Sequence, residues 1–260
     1  MQQILVIGSS NTDMVIKAAK LPEPGETILG GSFLMTPGGK GANQAMAAQR
    51  LLPEGQDKKD NVIFVAKVGD DLFGQQARRG FEEEGLDIRF VYQDTDAPSG
   101  VALIGVDERG ENCIMVAPGA NASLSVGEVS QALDAIPEAE WLLLQLEVPM
   151  ETVAHSIREG ARKGLKVVLN PAPAATIPED LFASLYLITP NETEAEWLTG
   201  LSVSDEESAW AAARLLYTKG VQNVVITLGA RGALLYSADR QLMVPAPSVT
   251  PLDTTAAGDV

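Results

Sequence analysis

Short, largely apolar runs recur along the chain at 4–7, 62–65, 141–146, 166–169, 185–188 and 224–227, each mostly β-branched or leucine-rich. Strands buried on both faces read this way, as in a parallel sheet covered by helices. Between the runs, the segments 41–51, 75–84, 150–162, 192–198 and 208–217 place apolar residues three and four apart, which predicts amphipathic helices. The alternation predicts a three-layer, doubly wound α/β fold with a mostly parallel sheet. Two stretches depart from it. In 14–36, Val15-Ile16 is followed by a Pro-Glu-Pro-Gly turn and a segment containing Gly30-Gly31. In 100–116, two apolar strands flank Asp107-Glu108-Arg109-Gly110, a hairpin signal. These predict a small β-sheet projecting from the main domain, which periodicity leaves open as a lid, a dimer surface or an ordinary sheet extension. The polar segment 52–61, with Pro53 and Gly55, predicts a surface loop.

Composition narrows the function classes. The 260 residues suffice for one substantial α/β domain. With 19 Lys+Arg against 35 Asp+Glu, the net charge of −16 repels nucleic acid and anionic membrane surfaces. Cys113 is the only cysteine, which excludes an intrachain disulfide and a Cys-cluster metal site and fits a reducing cytoplasm. The N-terminal apolar run is only four residues long before Gly8 and lacks a basic flank, so it reads as a strand rather than a signal peptide. No stretch approaches the roughly 20 apolar residues a membrane span needs.

Candidate chemistry gathers where strands end. Asn11 and Asp13 follow the first strand, where open α/β sheets bind ligands, although both are also ordinary turn formers. Gly38-Gly39-Lys40-Gly41-Ala42-Asn43-Gln44 opens a helix with a backbone stripped of side chains, with Lys40 and Asn43 beside it. A plain Gly-rich turn explains the glycines. A Walker A loop fits poorly, because Leu34 and Gly41 stand where a glycine and the magnesium-binding Ser/Thr belong. Asn191 suits a helix N-cap, and Glu194 lies in the same first turn. Thr227-Leu228-Gly229 closes a strand as a turn or as a nucleotide contact. Asp253-Thr254-Thr255-Ala256-Ala257-Gly258-Asp259 combines amides left open by small residues with a carboxylate, a pairing suited to phosphoryl transfer. The single histidine, His155, reads as a surface residue of a helix.

Taken in order and spacing, these blocks resemble the ribokinase-like carbohydrate kinase family across essentially the whole chain. The resemblance implies ATP-dependent phosphorylation of ribose at O5, with deoxyribose, another sugar or a nucleoside as alternative acceptors. It implies that Asn11, Asp13, Gly39, Lys40, Asn43 and Glu147 bind the sugar. Asn191, Thr227 and Gly229 would contact ATP, and Glu194 would organise Mg2+ indirectly. Ala256, Ala257 and Gly258 would form an anion hole, and Asp259 would be the general base that also contacts the sugar. Asp253 and Thr255 would help hold an activating K+. The segments 14–36 and 97–117 would form a lid inserted in the α/β domain, and this lid would make a homodimer contact. Family members continue beyond the aspartate, whereas only Val260 follows here, so the C-terminal part of the family fold is expected to be missing from the chain. A non-catalytic sugar-binding protein on the same fold is the reading from another class.

Overall fold

A computed structural model describes residues 3–52 and 61–247, together with Gly258. In chain order the elements are β1 (Gln3–Ile7), β2 (Asn11–Lys17), β3 (Ser32–Gly38), α1 (Lys40–Leu51), β4 (Asn61–Gly69), α2 (Leu72–Glu83), β5 (Asp87–Asp94), β6 (Gly100–Val106), β7 (Asn112–Ala117), α3 (Val126–Ala135), β8 (Ala139–Leu144), α4 (Met150–Arg162), β9 (Lys166–Leu169), β10 (Leu187–Ile188), α5 (Glu192–Thr199), α6 (Glu206–Thr218), β11 (Asn223–Thr227), β12 (Ala233–Ser237) and β13 (Gln241–Val244). The main sheet has the order β13-β12-β11-β10-β9-β8-β1-β4-β5. It is parallel from β5 to β11, and β12 and β13 add an antiparallel edge.

The apolar runs build this sheet because each strand buries both of its faces. Along β4, Ile63 and Val65 join the core that also holds residues of α3 to α6, while Val62, Phe64, Ala66 and Val68 join the core under α1 and α2. β1 divides in the same way, with Leu5 and Ile7 on one side and Val6 on the other. Successive strand side chains point to opposite faces, so two cores and three layers follow directly from continuous hydrophobicity. All five predicted helices form, α4 with the expected bounds. The periodicity did not announce β5, β12, β13 or α3, the last of which starts with a Ser125–Glu128 capping box. His155 is half-buried rather than on the surface: its ring nitrogen lies 2.8 Å from Ser130 Oγ, bonding α4 to α3.

The second sheet has the order β3-β2-β6-β7, with β2 and β6 parallel and the remaining pairs antiparallel. The hairpin at Asp107–Gly110 forms as expected between β6 and β7. Asn11 and Asp13 follow β1 across a short loop, Gly8-Ser9-Ser10, and belong to β2, which starts at Asn11. Asn11 and Asp13 therefore share one face of a strand, opposite Gly38 and Thr36 of β3 and Gly100 and Ala102 of β6. On the other face Ile16, Phe33, Leu103 and Met115 stay largely exposed.

Candidate active site

In a parallel sheet the carboxyl ends of the strands share one edge, and ligands bind in the crevice beyond it. Ser9 and Asn11 lie just past β1, Glu147 past β8, Asn191 past β10, and Thr227 ends β11. Four strand spacings separate β11 from β1, roughly 19 Å at ~4.8 Å each. The predicted residues thus divide into two groups along one edge.

The first group is tightly built. Gly39 caps α1 with φ of 93°, a left-handed conformation that favours glycine, and a Cβ there would lie 2.7 Å from the Asn11 nitrogen. A Cβ on Gly38 would meet the Asp13 carboxylate at 2.2 Å. A Cβ on Gly41 would lie 2.5 Å from the backbone of Gly8 and Ser9. The glycines let β1, β3 and the start of α1 approach to backbone contact, which a side-chain-bearing loop would prevent. Glu147 Oε2 accepts from Ser9 Oγ at 2.5 Å and from the Lys40 amide at 3.1 Å. Ser9 Oγ in turn accepts from the Gly41 amide at 3.3 Å. The Asn43 amide donates to Gly39 O at 2.9 Å in the first turn of α1. Asn11, Asp13, Gly39, Lys40, Asn43 and Glu147, drawn from three separate segments, are thereby brought together.

Three neighbours that sequence reasoning missed hold this group in place. Ser9 is the hydroxyl between Glu147 and Gly41. Asn121, 1 % exposed in the short 3-10 turn Gly119–Ser123, bonds both backbone groups of Ser10 and the side chain of Asn11. Fully buried Gln145 donates to Gln44 at 2.5 Å and packs on Gly8. No local pattern marks such residues, because Ser and Asn in loops look like turn formers. A mostly apolar cleft of about 460 Å3 shares Ser10 and Asn11 but opens toward α2, between Met35, Met46, Phe73 and Phe81. Its lining does not include Asp13, Lys40 or Glu147.

Asp71 anchors the segment leading into β6. Its carboxylate accepts from the Gly74 amide, capping α2, and from the amide and hydroxyl of Ser99. Partial burial pushes its pKa up, but these bonds outweigh it and hold the group below the usual carboxylate range. Asp94 is held at about 2 by bonds from the Ser123 hydroxyl and the Asp96 and Ala97 amides, with Lys67 nearby.

The second group is open. Asn191 caps α5 in a reciprocal box: its side chain accepts from the Glu194 amide, and Glu194 Oε2 accepts from the Asn191 amide, both at 2.9 Å. Asn191 also bridges to Thr227, which aligns the ends of β10 and β11. Gly229 has φ of 55° and nothing within 4 Å of where a Cβ would lie. Asp253, Thr255, Ala256, Ala257 and Asp259 lie outside the described residues, and Gly258 is an exposed turn residue.

For magnesium, the described residues contain no cluster of three acidic, histidine or cysteine side chains. Glu194 is the single acidic side chain proposed for it, and one of its oxygens is engaged in the capping box. That suits an ion held chiefly by phosphates and water, as Mg2+ commonly is, rather than one caged by protein. The open backbone at Gly229 and the exposed Asn191 suit a nucleotide laid over the ends of β10 and β11.

Fold and site define the class: an α/β chain with a polar cluster at the carboxyl edge of its main sheet, beside a second, smaller sheet. The chain matches the pfkB family of carbohydrate kinases over residues 1–260 and belongs to that family, as an ATP-dependent sugar kinase. It is 40 % identical over 256 residues to a ribokinase of Haemophilus influenzae, covering 98 % of this chain and 81 % of that one. It is 39 % identical over 257 residues to a deoxyribokinase of Salmonella typhi, covering 98 % of this chain and 82 % of the relative. Arabidopsis thaliana ribokinase, solved with ribose and ATP, superimposes with a TM-score of 0.86 at 28 % identity, covering 99 % of this chain and 82 % of that chain.

Proposed function

We propose that the protein phosphorylates D-ribose at O5 with ATP. The observation that carries this reading is the polar cluster at the ends of β1 and β8, where Glu147 bonds Ser9 and the Lys40 amide, Asn121 bonds Asn11, and Gly38 lies against the Asp13 carboxylate. Such a set of fixed donors and acceptors suits a polyol, whose hydroxyls each need a partner once water is excluded. The nucleotide lies along Asn191, Thr227 and Gly229 with its phosphates directed toward the sugar, and Glu194 acts on Mg2+ through water. Family resemblance assigns the rest: Asp259 takes the O5 proton as that oxygen bonds to the γ-phosphorus and the β–γ bridge breaks, releasing ADP. The amides of Ala256, Ala257 and Gly258 receive phosphate charge, and Asp253 and Thr255 hold K+. The small sheet serves as a lid and, through its exposed face of Ile16, Phe33, Leu103 and Met115, as a homodimer contact. A cytoplasmic location accords with the single cysteine, and no described helix is long and apolar enough to cross a membrane.

Deoxyribose is the second reading, favoured by the near-equal identity to the Salmonella deoxyribokinase. ADP release measured across ribose, 2-deoxyribose, fructose and adenosine separates the two. Ribose is expected to give the highest kcat/KM; a tenfold preference for 2-deoxyribose would select the second reading, and equal use of all four would defeat both.

A further inference from the structure

We propose that Asn121 is a positioning residue that fixes Asn11 as a hydrogen-bond donor toward the sugar. The inference rests on the reading of Asn11 as a sugar contact and adds to it which atom makes the contact. Asn121 Oδ1 accepts from the Ser10 amide at 2.8 Å, and its Nδ2 donates to Ser10 O at 3.0 Å. Backbone N–H and C=O have fixed polarity, so these two bonds allow only one orientation of the Asn121 amide. The second Nδ2 proton points at the Asn11 side chain, 2.8 Å away. A donor there requires an acceptor, so the facing atom is Asn11 Oδ1. Asn11 Nδ2 then points away from Asn121, and it meets no acceptor among the described residues.

The packing leaves no room for a different arrangement. Asn11 is 7 % exposed and Asn121 1 %. Gly100 lies against both: a Cβ there would sit 2.2 Å from Asn11 Oδ1 and 2.3 Å from Asn121 Nδ2. Glu147, across the cluster, is the counterpart. Its Oε2 is engaged by Ser9 and Lys40, and as a carboxylate its remaining oxygen only accepts. The site thus meets one hydroxyl oxygen with a donor from Asn11 and one hydroxyl proton with an acceptor from Glu147. Polarity at Asn11 is set by a residue 110 positions away that lies behind it.

The test compares Asn11→Ala, Asn11→Asp, Asn121→Ala and the Asn11→Ala/Asn121→Ala double variant, measuring KM for D-ribose, KM for ATP, kcat and melting temperature. Asn11→Asp keeps an acceptor for Asn121 and is expected to melt within about 2 °C of the parent. It replaces the outward donor by an acceptor, so its ribose KM rises about tenfold or more while its ATP KM holds. Asn121→Ala raises ribose KM by a similar factor and adds little to Asn11→Ala. Should Asn121→Ala fail to fold, Asn11→Asp reads the same inference with Asn121 in place. An unchanged ribose KM in Asn11→Asp, with a raised one in Asn11→Ala, overturns the donor assignment and leaves the sugar contact standing. Additive effects in the double variant remove Asn121 from the positioning role. An unchanged ribose KM in Asn11→Ala overturns the sugar contact itself.

Discussion

The two ends of the ligand edge are built on opposite plans. At the β1 and β8 end, three backbone segments touch where Gly38, Gly39 and Gly41 permit it, and Ser9, Asn121 and Gln145 fill the space behind. At the β10 and β11 end, Asn191 and Gly229 are exposed, and the Arg231–Glu192 ion pair lies at the surface. The first end is preformed and intolerant of added atoms. The second offers backbone and a helix start to a ligand without enclosing it. Discrimination among similar sugars needs fixed polar partners left unpaired by the wrong substrate, whereas every turnover uses the same nucleotide.

Paired glycine substitutions test that contrast most strongly. Gly41→Ala places a methyl 2.5 Å from backbone atoms of Gly8 and Ser9, which no rotamer change relieves. It should destabilise the protein by about 3 kcal/mol and raise the sugar KM steeply. Gly229→Ala meets no atom and only loses the ease of a positive φ, so about 1 kcal/mol is expected. Chemical denaturation of both variants measures the difference, and equal losses would break the comparison.

A smaller effect separates the cap from the charge at the open end. Glu194→Ala removes half of the α5 capping box and should lower stability by about 1 kcal/mol. Glu194→Gln preserves a box of the same form and should keep stability. If Glu194 also acts on Mg2+, Glu194→Gln still raises the Mg2+ concentration needed for half-maximal turnover. An unchanged Mg2+ requirement would reduce Glu194 to a cap.

The smallest effect concerns the segment that ties the closed end to β6. The folded pKa of Asp94 is about 2, below the ordinary aspartate value of 3.8. Its ionised bonds therefore add stability that is fully present above about pH 4 and is lost as pH falls toward 2. Asp71 shifts in the same direction and contributes over the same acid range. Melting temperature followed from pH 6 to pH 2 should fall less in Asp94→Asn than in the parent. Parallel curves would show that Asp94 plays no part.

The contrast also explains what could be read from the sequence. Strands at the centre of the sheet, such as β4 and β9, declare themselves through the consecutive apolar residues 62–66 and 167–169. β5 does not: Asp87, Arg89, Gln93 and Asp94 interrupt a strand that is half-exposed at the sheet edge. Gly39, Lys40 and Asn43 stood out because they lie within one segment. The partners behind them did not, because the Asn121–Asn11 and Ser9–Glu147 bonds join residues 110 and 138 positions apart. Burial and closure, not local propensity, decide which of many Ser and Asn residues matter.

Because Asn11 and Asp13 lie in β2 itself, the small sheet and the proposed sugar site share one piece of backbone. β2 is a lever of seven residues, roughly 20 Å from Asn11 to Lys17, with its fulcrum clamped by Asn121 and Gly39. Force applied at the free end reaches the proposed sugar site at the pivot. On the proposed function, whatever grips the exposed face of that sheet therefore also has a mechanical hold on the substrate.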